Sequence, residues 1–156
     1  FGAGMTSKLF VNVRERLSLC YFCSSHYNAY KGILTVHCGL DPKNRALAEA
    51  EILSQVDAVR HGEFSDWELD AAKKSLINAY RQLQDSPVAL ENFYFGRTLM
   101  GVCTTAEECR AAFDAVTRSD VTEAARALSL DTVYFLNGTL AGEEDFDDGE
   151  GVEFDE

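Results

Sequence analysis

Three groups of residues in this 156-residue chain could carry chemistry: its histidines, its cysteines, and an Arg/Tyr pair seven positions apart. Zinc hydrolysis on a helix needs H-E-x-x-H or its inverse, H-x-x-E-H. Either spacing puts two imidazoles on one helix face beside a carboxylate that activates water. The chain has only His26, His37 and His61, and no two of them are four residues apart. It is therefore expected to hold no catalytic zinc and to cut no peptide by itself. His61 precedes Gly62 at an expected helix end, where the helix dipole favours a cation, so capping is the plainer role. The cysteines are Cys20, Cys23, Cys38, Cys103 and Cys109. Cys20-x-x-Cys23 with His26, His37 and Cys38 has the superficial look of a metal site. If Cys20 and Cys23 share a strand, however, three residues of separation send their side chains to opposite faces. His37 and Cys38 are neighbours and diverge too. Small buried thiols, rather than ligands, are the expectation. Arg14 and Tyr21 remain. One tight helix-to-strand connection could aim both at a common point, where a guanidinium fork and a phenol suit a peptide carbonyl or carboxylate. From residue types alone, a surface arginine and a core tyrosine are the plainer reading.

The elements that must position these groups follow from periodicity. Thr6 or Ser7 can cap a first helix carrying Leu9, Val13 and Leu17. Residues Leu19 to Ser24 read as a strand. Gly32 to Leu40 alternates, with Leu34, Val36, Cys38 and Leu40 on one face, which makes an antiparallel hairpin. Asn44 to His61 reads as a helix ended by Gly62. Ser65-Asp66-Trp67-Glu68 is a capping box that opens another helix, through Leu69, Ala72, Leu76, Tyr80 and Leu83. Ser86 and Pro87 start the next helix, which Gly101 stops. Thr105 to Glu108 is a second capping box, and Ser119 is expected to cap a last short helix. Thr132 to Asn137 alternates and reads as a third strand. The order predicts an α+β domain whose antiparallel sheet is covered by helices. Three strands are few for so many helices, so further strands are expected upstream of Phe1.

The net charge is −12, and nine of those acids, with no base among them, lie between Glu143 and Glu156. The remainder carries only −3. Neither part offers the basic face that nucleic acid requires. No G-x-x-x-x-G-K-[ST] or G-x-G-x-x-G motif occurs for a nucleotide. No apolar run approaches the ~20 residues of a membrane helix. Residues 1–141 are expected to form one domain and residues 142–156 an acidic tail too poor in core-forming residues to order itself. An odd number of cysteines without a secretory signal points to reduced thiols and a cytoplasmic protein. The opening Phe1-Gly2-Ala3-Gly4, with no initiator Met, leads us to expect a piece of a longer protein.

The run Ser7-Lys8-Leu9-Phe10-Val11-Asn12-Val13-Arg14-Glu15-Arg16-Leu17-Ser18-Leu19-Cys20-Tyr21 resembles the S-x-L-F-x-x-V-R-E-x-x-G-L-x-Y signature of insulinase/pitrilysin-type zinc peptidases, in the second conserved half of their domains. Lys31-Gly32, Gly62 to Ser65 and Asp85-Ser86-Pro87 are also similar to that family's pattern. The resemblance covers most of the chain up to Asn137. It is greatest to zinc-less bacterial members that work beside a separate zinc-bearing sibling. It implies the metallohydrolase-like α+β fold and a chamber enclosed by two homologous domains. It also implies a non-catalytic domain or subunit that grips peptide substrate with Arg14 and Tyr21, while zinc sits in a partner domain or subunit. Arg16 is the nearby competitor, but the V-R-E context selects Arg14. Ser18 stands where the family carries glycine. Two alternatives stay open: an interaction scaffold derived from an inactive peptidase, or a fragment of a longer peptidase with its zinc motif upstream.

Overall fold

A computed structural model describes residues 1–138; the acidic segment Glu143 to Glu156 lies outside the described residues. The chain is an α+β protein. A first helix, Leu9–Arg16, leads into an antiparallel hairpin of β1 (Phe22–Asn28) and β2 (Ile33–Gly39). Five helices follow: α1 (Arg45–Arg60), α2 (Asp66–Gln82), α3 (Pro87–Leu99), α4 (Ala106–Ala115) and α5 (Arg118–Arg126).

The first helix is wound as a π-helix. Lys8 stands at its N-cap and makes no side-chain cap; one residue earlier, Ser7 Oγ accepts from Phe10 N at 3.4 Å. The wider turn keeps Leu9 and Val13, four apart, on one buried line, and both are fully buried. With Cys23 they form the core beneath the hairpin, where Leu19, Val36 and Ile52 pack against them. Asn12 Nδ2 donates to Gln55 Oε1 at 2.7 Å and ties this helix to α1. The Phe1–Gly2 segment lies along β1, with Ser25 N donating to Gly2 O at 3.0 Å. A Cβ on Gly2 would stand 2.4 Å from Ser25 N, so only glycine allows that approach.

The helix starts are local events and form as their sequences dictate. Ser65/Glu68 and Thr105/Glu108 are reciprocal capping boxes. Ser86 Oγ accepts from Ala89 N at 3.3 Å, with Pro87 in the first turn. At the end of α1, the His61 amide donates to Asp57 O at 3.0 Å, and Gly62 follows at φ 76°. Tyr80, Phe93 and Phe113 make edge-to-face contacts that join α2, α3 and α4. Arg60 donates to Ala125 O and Leu128 O, which fastens α5 to α1.

Three expectations need correction. The first strand begins at Phe22 rather than Leu19, because the chain turns at Ser18 and bends again at Tyr21 before it pairs. The cap of α5 is Thr117, not Ser119: Thr117 Oγ1 accepts from Asp120 N, and Asp120 reaches back to Thr117 N. Thr132 to Asn137 is not a strand, and the described sheet has two strands instead of three. Alternation shapes one strand, but a sheet also needs a neighbour to bond to. No described strand pairs with this segment, and Tyr134 and Leu136 stand exposed.

Candidate functional site

The end of the first helix, the turn after it and the segment Asp41 to Asn44 just before α1 enclose an open cleft of about 440 Å³. Arg14 and Tyr21 both line it, with Glu15, Ser18, Cys20 and Asp41 among the other walls. Arg16 does not line it. The structure thus brings the two sequence candidates to one place and leaves their competitor outside.

Arg14 is held in position from three sides. Its Nε donates to Tyr21 O at 2.8 Å, and its Nη1 donates to Glu15 Oε1 at 3.0 Å. Its guanidinium lies 4.7 Å from the centroid of the Phe10 ring. Among the described residues, Nη2 has no hydrogen-bond acceptor. The main chain of Tyr21 is pinned at both ends, since its N donates to Gly39 O at 2.7 Å while its carbonyl takes the Arg14 bond. Its side chain is 75% exposed, not part of the core. A fixed guanidinium with an open edge and a phenol on an anchored backbone make a donor pair for a carbonyl or carboxylate.

Ser18 shapes this cleft. It is the one non-glycine described residue with positive φ, at 51°. This is the left-handed turn that lets the chain leave the helix and enter the hairpin. The backbone therefore keeps a glycine-type conformation although the side chain is serine, at a strain of about 1 kcal/mol. Ser18→Gly is expected to raise stability by about that amount, partly offset by glycine's greater freedom when unfolded. The melting temperature should rise by about 2–4 °C, and a fall would show that the Ser18 side chain compensates its own strain.

The cysteines do not diverge as the sequence led us to expect. Cys23 and Cys38 are direct partners in the β1–β2 register and both turn inward. Cys20 precedes the strand, so strand alternation does not govern it. The Sγ atoms of Cys20, Cys23 and Cys38 lie within 4.8 Å of one another. Burial pushes the Cys20 thiol up to about 11, aided by the neighbouring Cys38. The Cys38 side chain holds Cys23 below its ordinary value, and Cys23 in turn raises Cys38. The motif Cys-x-x-Cys was legible in the sequence; its convergence with Cys38 needed the register. His26 and His37 stand on the opposite, exposed face of the hairpin, and no helical pair of histidines exists. The residues present do not fit a hydrolytic His/Glu zinc centre.

Residues 1–76 match the sequence pattern described as the Peptidase M16 inactive domain. The chain is 34% identical over 139 residues to the "Probable inactive metalloprotease YmfF" of Bacillus subtilis (strain 168), covering 89% of this chain and 33% of that protein. It is 30% identical over 94 residues to the human mitochondrial-processing peptidase subunit alpha, covering 58% of this chain and 18% of that one. Among solved structures, a conserved protein from Enterococcus faecalis V583 superposes with a TM-score of 0.75 at 34% identity, over 80% of this chain and 30% of that one. A protease from Helicobacter pylori superposes at 0.69 with 19% identity, over 81% and 31% of the two chains, which speaks for the fold alone. The class is therefore that of M16 peptidase domains of the kind described as inactive. This chain belongs to the M16 peptidase family, the one its Ser7 to Tyr21 run resembles, and matches that family's inactive domain. It spans a third or less of the length of these relatives.

Proposed function

We propose that this chain is the substrate-gripping, non-catalytic part of a zinc-dependent peptidase, and that Arg14 and Tyr21 hold the peptide. The zinc site lies in a homologous domain or subunit that faces it across a common chamber, and the assembly works in the cytoplasm. One observation carries the reading. Two donors that the family resemblance singles out line one cleft, on backbone fixed by Gly39 O and by Arg14 itself. The designation of the mitochondrial relative as a subunit alpha supports a paired arrangement. In this role the Arg14 guanidinium and the Tyr21 hydroxyl donate to peptide oxygens, orienting the chain for hydrolysis at a metal that this domain does not supply.

The interaction-scaffold reading draws on a different feature. Phe95, Leu99 and Val88 on α3 are each more than 60% exposed, a run of apolar surface suited to contact with another protein surface. Reconstitution separates the two readings. The chain is assembled with a zinc-bearing partner, and peptide turnover is compared for the parent and the Arg14 and Tyr21 variants. Loss of turnover in complexes that still assemble supports the grip. Unchanged turnover favours the scaffold.

A further inference from the structure

The Cys20, Cys23 and Cys38 thiols have no part in the peptide-gripping role. We propose that they form a binding site for one thiophilic metal ion, of the kind represented by Zn²⁺ and Cu⁺, bound as three thiolates.

The geometry supports this in three ways. Three of the five cysteines in the chain converge on a single point, with all Sγ atoms within 4.8 Å of one another. A zinc ion holds each thiolate at about 2.3 Å, which places tetrahedral sulfurs about 3.8 Å apart, so a small contraction of the group completes the site. Second, the three come from rigid places. Cys23 and Cys38 face each other across the hairpin, and Cys20 follows the turn at Ser18. Metal binding would clamp the first helix's exit to both strands. Third, there is an entry path. Cys23 is buried, but Cys20 and Cys38 are half-buried, and Cys20 also lines the open cleft. Soft sulfur donors without oxygen or imidazole select thiophilic ions over Mg²⁺ or Ca²⁺. Among the described residues no His, Asp or Glu joins the group, so any fourth position belongs to solvent or to a molecule in the cleft. On binding, each Sγ–metal bond replaces an S–H bond and the proton passes to the buffer. No electron is transferred. A disulfide would use only two of the three sulfurs and leave the third without a role.

Tag-free protein, fully reduced and stripped of metal, is titrated without oxygen with Co²⁺, and then with Zn²⁺ or, in a separate sample, Cu⁺. One equivalent of Co²⁺ should produce thiolate-to-cobalt charge-transfer absorption, and one equivalent of Zn²⁺ or Cu⁺ should abolish it. Back-titration with a chelator of known affinity then ranks the two ions by how tightly the three thiolates hold them. Cys20→Ser and Cys38→Ser should each lower affinity at least about 100-fold, the upper end of what losing a mere supporting contact costs. Cys103→Ser, far from the group in sequence and exposed, should change nothing. Cys23→Ser carries a risk to folding because Cys23 belongs to the core; Cys20→Ser does not share its burial and keeps the test decisive. The proposal is overturned if folded, reduced protein gives no charge-transfer absorption, if Cys20→Ser leaves the absorption intact, or if the absorption requires Cys103.

Discussion

Arg14→Ala, in the assembled peptidase, should lower kcat/KM about 10- to 150-fold. The range follows from the loss of a hydrogen bond to a charged group, worth roughly 1.5–3 kcal/mol. Two effects are combined in it, and a second variant separates them. Arg14 offers Nη2 to substrate, but its Nε also holds the Tyr21 carbonyl at 2.8 Å. Removing the side chain therefore loosens the backbone that carries the phenol. Arg14→Lys keeps the charge and loses the planar fork, so it should recover little of the rate if bidentate geometry matters. Tyr21→Phe removes only a hydroxyl from an exposed ring, leaves the Gly39 and Arg14 bonds in place, and should cost several-fold, about 1 kcal/mol. Arg16→Ala should leave turnover unchanged, because Arg16 lies outside the cleft. Melting temperatures recorded beside the rates distinguish lost grip from lost fold. Parental turnover by correctly assembled Arg14→Ala and Tyr21→Phe complexes would remove the basis for a substrate role.

Leu9→Ala should destabilise the protein by about 2–5 kcal/mol, the cost of an unfilled cavity at a fully buried leucine. Leu9 is 0% exposed and meets Val13 and Cys23 at the centre of the core. Little else can compensate: apart from these three, the buried apolar residues among those described are Ala48, Ala106, Ala125 and Cys109. With a typical domain stability of about 5–15 kcal/mol, such a loss is large enough to unfold the hairpin region at modest denaturant. Leu17→Ala, eight residues further along but 43% exposed, should cost less than about 1.5 kcal/mol. Urea unfolding of the two variants checks this contrast. Equal losses would mean that the π-helix does not hold its apolar line as the structure shows.

Legibility in the sequence tracked the range of the interaction. Ser65/Glu68, Thr105/Glu108 and Ser86-Pro87 mark helix starts correctly because a cap is made by residues three apart, whatever surrounds them. The inward face of β2 is legible for the same reason: Leu34, Val36 and Cys38 alternate within one strand. For the cap of α5, Thr117 and Ser119 are equally suitable types, and only Asp120's reach back to Thr117 decides between them.

The sequence by itself determined the α+β order, the absence of a helical zinc motif, and the family through the Ser7 to Tyr21 run. Each of these is written in local spacing. Tertiary structure alone decided three other matters. It settled whether Thr132 to Asn137 becomes a strand, which depends on a bonding partner. It placed Arg14 beside Tyr21, through a left-handed Ser18 that residue type alone argues against. It also set the three thiols together. Strand alternation predicts divergence only for residues inside a strand, and β1 begins two residues after Cys20, while Cys38 arrives opposite Cys23 through cross-strand register. Register is a relation between two segments, so neither segment's own pattern contains it.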